Sequence, residues 1–359
     1  MVEYVIEERA PLDSEIDEIV ALMNRVWLHV YRNDGFYRFD RDLFEWYANS
    51  FLRRDERFWL AIEAGSRRII GFAIGMPRMI TIHGEGPYFF GYASLITVDL
   101  KFQRQGIAKA IADRSMPTVK NLGLKGWFAV VEEGSKGLKP LPKELTDHKV
   151  PLWTHEHAYI RPLAMRDFGR YVKMKWYERM VARLLQGVAP VNDPRVRDVR
   201  PADYPSVAAL LNGYSRTLDL GRVWDLDELT RYYANPIIRG KVFEAGGMVQ
   251  AVVNAAVVPF SAKGRTRKIA ILENLHYERI PYPDQRLLVR ALLHELKALD
   301  VACATDFAIG YNSLRPMRSN RFLKYRRKMT LYFFPIAAPD DEAVLALKRP
   351  LGTTYIDIR

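Results

Sequence analysis

Residues 101–108, Lys-Phe-Gln-Arg-Gln-Gly-Ile-Ala, join an apolar strand-like run to a helical pattern, and the chemistry available at such a junction is anion binding. The first backbone N–H groups of a helix have no partner inside it, and the helix dipole adds to their attraction for a phosphate. Gly106 has no Cβ and lets a bulky anion reach the backbone. Gln103, Arg104 and Gln105 can add side-chain donors, and Arg104 adds positive charge. A second grouping is His148, His155 and His157, of which His155 and His157 share one strand face. Spaced carboxylates or cysteines are missing beside them, so they are expected to touch substrate (His157) or solvent and not a metal.

Positioning that junction requires a strand before it and a helix after it. Ile16, Ile19, Val20, Leu22, Met23, Val26 and Trp27 have the three-and-four spacing of a helix over residues 14–31, and a shorter helix follows over 41–52. Residues 58–62, 69–82 and 88–98 are rich in β-branched and aromatic side chains and are separated by turn residues, which predicts three strands. A helix over 106–120 and a strand over 127–131 complete the unit. Residues 134–151 are rich in Gly, Pro and Lys. Strand-like segments follow at 153–160 and 168–175, and residues 186–194 read as a linker. The order then repeats: helices starting near Tyr204 and Asp225, strands at 241–244, 249–258 and 268–276, a helix over 285–299, and strands at 301–309 and 330–335. The prediction is an α/β (α+β) chain of two tandem domains, 1–190 and 191–359, each a mixed central sheet flanked by helices. A length of 359 residues suits two cores.

Gln103, Gly106 and Ala108 match the pyrophosphate motif of the GNAT acyltransferases, which runs Gln or Arg, two residues, Gly, one residue, then Gly or Ala. Across nearly its whole length the chain also resembles the eukaryotic N-myristoyltransferase family, itself a fused pair of GNAT domains. The similar segments, in order, are Tyr37-Arg38-Phe39-Asp40 with Leu43 and Trp46, Leu95-Ile96-Thr97-Val98, Gln103 to Ala108, the loop at 134–151, and His157 with Pro162. Asp227-Glu228-Leu229 to Tyr232-Tyr233 with Pro236, and residues 300–306, complete the set. The resemblance implies an acyl-CoA-dependent N-acyltransferase in which the amine attacks the thioester directly. The backbone N–H groups of Leu95 and Ile96 would form the oxyanion hole. Ile96, Thr97 and Val98 would carry the pantetheine arm, and Gln103, Arg104, Gln105, Gly106, Ile107 and Ala108 the phosphates. Tyr37, Phe39, Asp40 and His157 would face the acceptor. The implied base is the terminal carboxylate, at Arg359 here, with Glu132 or Glu133 at the end of the fifth strand as alternatives. The aromatic and basic segment that eukaryotic members place ahead of the fold has no counterpart, and their Lys-Arg is replaced by Gln105-Gly106. Acetyl-CoA is therefore the default donor and a long, myristoyl-type chain the alternative. In the second half, residues 277–285 carry two prolines and acidic groups at the corresponding place, so that half is expected to shape the acceptor groove.

Composition narrows the rest. Hydrophobic residues make up 49% and charged residues 27%, as in a folded domain. Cys303 is the single cysteine, which excludes internal disulfides and cysteine-rich metal sites. No run is apolar enough to span a membrane, and Val2-Glu3-Tyr4-Val5 is unlike a secretory leader, so a cytoplasmic protein is expected. The net charge of +12 attracts anions, including CoA, nucleic acids and anionic membranes. The basic run 315–328, interleaved with Phe322 and Tyr325, supports a rival reading: a catalytically inactive platform for RNA or a ribosome. The acceptor amine is expected on a protein or peptide, at its N-terminus or at a lysine.

Overall fold

The structure, a computed structural model, describes residues 2–31, 35–49, 57–132, 150–165, 174–306 and 312–355. Helix α1 (Asp13–Tyr31) follows the apolar spacing, buries Ile19, Leu22, Met23 and Val26, and starts with acidic residues that suit its dipole. Helix α2 (Arg41–Asn49) packs beside it. Short strands β1 (Tyr4–Glu8) and β2 (Phe36–Tyr37) flank α1, and β3 (Arg57–Glu63), β4 (Ile69–Ile82) and β5 (Glu85–Val98) form an antiparallel meander. Helix α3 (Ile107–Asn121), β6 (Gly126–Glu132), β7 (Val150–Pro162) and helix α4 (Trp176–Leu184) end the first half.

The second half repeats this order. It contains β8 (Val196–Asp198), α5 (Tyr204–Ser215), β9 (Leu220–Val223), α6 (Leu226–Ala234), β10 (Ile238–Ala245), β11 (Met248–Ala262) and β12 (Arg265–His276). Helix α7 (Tyr282–Ala298), β13 (Cys303–Asp306), α8 (Arg315–Ser319), β14 (Leu323–Pro335), α9 (Glu342–Ala346) and β15 (Thr354–Tyr355) follow.

The chain between α4 and β8 is irregular, and the sheet runs across both halves. Among the described residues the strands join one sheet whose main path is β1-β3-β4-β5-β6-β14-β7-β13-β12-β11-β10-β8. The halves exchange strands: β14, from the second half, lies between β6 and β7, while β7, from the first, pairs with β13. A second exchange sets β9 against β4, with Ile80 opposite Arg222, and β2 against β11, with Tyr37 opposite Phe260. Thr81 reinforces the crossing by donating its hydroxyl to the carbonyls of Ser215 and Gly221, at 3.2 and 3.1 Å. Arg222, fully buried there, pairs with Glu228 at 2.5 Å and lies 3.4 Å over the Trp224 ring.

The long helices and strands lie where periodicity places them. The strand read at 168–175 falls mostly outside the described residues, and the chain directly after it is helix α4. The last long strand starts at Leu323 and not at 330, because its first residues are the basic ones whose charge masks the strand pattern. Strands β2, β9 and β15 are two to four residues long, too short to show a period of two.

Candidate functional site

The Leu95–Ile96 segment sits on a β-bulge. Phe72 of β4 is opposite Thr97 and Ile74 is opposite Ser94, so two residues of β5, Leu95 and Ile96, face the single residue Ala73 and have no partner in register. Leu95 adopts φ +57°, a left-handed conformation that costs a non-glycine residue about 1–3 kcal/mol and persists where the surroundings impose it. Thr97 Oγ1 donates to the Leu95 carbonyl at 3.3 Å. The Leu95 side chain is buried in the core under α1 and α2, while Ile96 and Val98 pack on the opposite face with α3.

On its other edge β5 pairs with β6, in parallel, only at Gly91 with Trp127 and Tyr92 with Phe128. Gly91 is required at this seam, since a Cβ there would stand 2.1 Å from the Trp127 ring. Past Tyr92 and Phe128 the two strands part: β6 continues along β14 as far as Glu132, and β5 runs through the bulge to Val98 paired only with β4. Backbone donors released from a ladder beside diverging strands are what a developing oxyanion needs.

The turn from β5 into α3 is braced from below. Asp99, buried, accepts from the Lys101 N–H at 3.1 Å and pairs with Arg25 at 2.7 Å and Arg68 at 3.8 Å. Burial alone would raise its carboxyl, but the Lys101 N–H and the two arginines outweigh that and hold it below the ordinary value. The sign follows: a carboxyl lower in the folded state than its unfolded value of about 3.9 adds stability above that pH and loses it as pH falls through the folded value. Asp99→Asn should therefore lower the melting temperature at pH 7, and the gap to the wild type should close towards pH 3. A gap independent of pH in thermal melts would contradict this role.

Above this brace, Gln103 donates to the Val98 carbonyl at 3.1 Å. Gln105 donates to the Lys101 carbonyl at 3.3 Å and accepts from the Val2 N–H at 3.2 Å. Both amides thus hold the loop itself, and Arg104, at φ +63° and exposed, is the charged side chain left facing out. Gly106 caps α3 at φ +84° with no atom within 4 Å of where its Cβ would stand. Ala110 N–H bonds back to the Gly106 carbonyl, so the N–H groups of Ile107, Ala108 and Lys109 have no partner within the helix. A glycine-opened helix start with room above it fits a pyrophosphate.

The other residues singled out in the sequence have different surroundings. Phe39 is buried edge-on between Trp27 and Tyr47, and Asn24 clamps its backbone with bonds of 2.6 and 2.9 Å. Asp40 Oδ1 accepts from the Leu43 N–H at 2.8 Å and caps α2, and Tyr37 pairs with Phe260 of β11. These three hold the corner between α1, α2 and the second half. His157 lies on β7, opposite Arg326 of β14, so β14 and β6 stand between it and β5. Glu132 ends β6 opposite Met329. Its side chain, that of His155, and Glu133, His148 and Arg359 lie outside the described residues. Among the described residues no group of His, Cys, Asp and Glu is placed to hold a metal.

The second half repeats the bulge but fills it with protein. Val252 is opposite His276 and Asn254 opposite Glu273, so two residues of β12, Asn274 and Leu275, face the single residue Val253. Tyr355 donates its hydroxyl to Asn274 and accepts from Trp224 Nε1 at 2.9 Å. His276 is packed edge-on between Tyr214 and Tyr355, each 4.8 Å away, and burial pushes it down to about 3, so the ring is neutral. At the start of α7 the Arg315 guanidinium covers the Tyr282 ring at 4.0 Å, and Pro283 removes one N–H from the first turn. Neither bulge has a signature in residue type. Leu95 and Ile96 were located by resemblance, and Asn274 and Leu275 emerge only from the strand register.

Residues 17–142 match the model of the acetyltransferase (GNAT) family. No curated protein matches the sequence. The fold is similar to that of Saccharomyces cerevisiae N-myristoyltransferase with bound myristoyl-CoA and inhibitors, at 11% identity and TM-score 0.74, over 98% of this chain and 86% of that chain. A second structure of that yeast enzyme, with bound myristoyl-CoA, aligns at 13% identity and TM-score 0.74 over 98% of this chain and 89% of its own. At such identities the likeness is one of fold.

Proposed function

We propose that this chain is a GNAT-type N-acyltransferase of tandem fold that moves a short acyl group, acetyl by default, from coenzyme A to an amine at a protein N-terminus or a lysine. The observation that carries the reading is the bulge at Leu95 and Ile96, placed between diverging strands and a glycine-capped helix. The N–H groups of Ile107, Ala108 and Lys109, with Arg104, would hold the pyrophosphate, and Ile96 to Val98 would line the pantetheine arm. Acyl-CoA supplies a thioester carbonyl as the electrophile. Leu95 and Ile96 would offer their N–H groups to its oxygen as negative charge grows there, a contribution of about 3–4 kcal/mol per donor in sites of this kind. The proton leaving the amine is assigned to a carboxylate, with Glu132 at the end of β6 as the candidate.

The short donor is favoured by what fills the space beside the parting strands. Tyr92, Leu95 and Phe128 are buried on the α1/α2 face. Phe128 also joins Phe90 and Phe333 in a closed trio with ring centroids 4.8 to 5.9 Å apart. A long chain on that face would have to displace these rings. Calorimetry with acetyl-, octanoyl- and myristoyl-CoA should give acetyl-CoA the tightest binding. Phe128→Ala should shift preference towards octanoyl-CoA by at least about tenfold, the scale on which pocket size separates acyl lengths. Because a core Phe→Ala costs about 3–5 kcal/mol, binding should be read where the variant is still folded. Tightest binding of myristoyl-CoA by the wild type would reverse the assignment of the donor. Salt-sensitive RNA binding with no acyl-CoA binding would favour the basic-platform reading.

A further inference from the structure

Helix α4 is amphipathic with its faces inverted. Its one buried residue is Ala182, while Trp176, Tyr177, Met180, Val181 and Leu184 are 69%, 43%, 51%, 38% and 74% exposed. Their spacing places all five on one arc, opposite Ala182 and directed away from the protein. The helix is held in this attitude: Arg161, buried on β7, donates to the carbonyls of Leu185 and Gly187, the latter at 2.7 Å. Five large apolar side chains on one arc form a patch, not the scattered exposure common on protein surfaces.

The charges beside the patch indicate what covers it. Lys175, Arg179 and Arg183 accompany the helix against the single acid Glu178. An aromatic pair, Trp176 and Tyr177, opens the apolar arc, and these are the residue types that settle at a bilayer's headgroup boundary. A helix with an apolar face of Trp, Met and Leu and a basic flank lies in the plane of an anionic membrane surface. Each nearby Lys or Arg adds about 1 kcal/mol of attraction to anionic lipid. The net charge of +12 acts in the same direction. Among the described residues no helix is long and apolar enough to cross a membrane, so the contact would be peripheral.

We propose that α4 docks the enzyme on an anionic lipid bilayer, with Trp176, Met180 and Leu184 inserted at the headgroup boundary and Arg179 and Arg183 on the lipid phosphates. The test is flotation with vesicles of phosphatidylcholine alone and of phosphatidylcholine mixed with phosphatidylglycerol, on the wild type and on Met180→Glu/Leu184→Glu. The wild type should float with the anionic vesicles, be released by salt, and stay with the soluble fraction when phosphatidylcholine is the only lipid. The double variant should lose at least about tenfold in bound fraction while keeping its melting temperature, because both positions are exposed, and its acetyl-CoA affinity. A wild type that ignores anionic vesicles, or a variant that still floats, overturns the proposal. So does a concentration-dependent dimer that the double variant dissociates, which would assign the patch to a second copy of the chain. Since acyl-CoA binding is measured separately, failure here leaves the acyltransfer reading standing.

Discussion

Gly106→Glu is expected to abolish acetyl-CoA binding in a chain that still folds. The position has no atom within 4 Å of its missing Cβ, so a side chain meets no neighbour. The left-handed backbone costs a non-glycine residue about 1–2 kcal/mol. A carboxylate at a helix start recovers about 0.3–1 kcal/mol from the dipole. The net effect on folding is small. The same carboxylate, however, takes the place proposed for the pyrophosphate and repels it. An affinity loss of at least about 100-fold, or some 2.7 kcal/mol, is expected in calorimetry. Gly106→Ala carries the same strain without the charge and should lose only a few-fold. If the alanine variant loses as much as the glutamate, close approach of the backbone and not charge is decisive. If the glutamate variant binds like the wild type, the anion cradle lies elsewhere.

Residues 1–190 and 191–359 produced as separate polypeptides are each expected to lack a cooperative unfolding transition. In the first fragment, β6 would lose β14 along the stretch from Glu132–Met329 to Gly126–Pro335, and β7 would lose both neighbours. The end of β4 would lose β9. Bare sheet edges beside apolar faces favour aggregation. In the second fragment β14 would lose both neighbours, β6 and β7, and β13 would keep only β12. Producing the halves together should restore a soluble complex, because each carries the strands the other needs. A first fragment that melts cooperatively and binds acetyl-CoA by itself would show that the exchanged strands are dispensable.

The elements that dominate the structure were legible because they are long and periodic. Helix α1 has four buried residues at helical spacing, and β4 and β11 have continuous apolar stretches. The strand-to-helix junction capped by Gly106 was legible too, since a glycine is informative where a strand runs into a helix. Asp40 shows a signal that was available: an Asp directly before Arg41-Asp42-Leu43-Phe44 is a helix-capping pattern, and the structure uses it as a cap. The strand exchange was not legible. A strand's own sequence records which side of it is buried and not which neighbour it has, so β14 reads the same beside β6 as beside β13. The bulge was hidden for a related reason: Leu95 at positive φ is imposed by the register of its neighbours and not by its own preference. Helix α4 was legible in principle: Trp176, Tyr177, Met180, Val181 and Leu184 have helical spacing, although no element is predicted above for residues 176–185.

The exchange also dictates when the molecule can be completed during synthesis. Strand β6 ends at Glu132, and the strand that covers its edge ends at Pro335. At about 5–20 residues per second, translation needs on the order of ten to forty seconds to supply the intervening chain. Through that interval the first half emerges with its meander and α3 made but the edge of β6 unsealed. A bare strand edge invites pairing with other chains, and the first half can be sealed against this only when the other half is nearly finished.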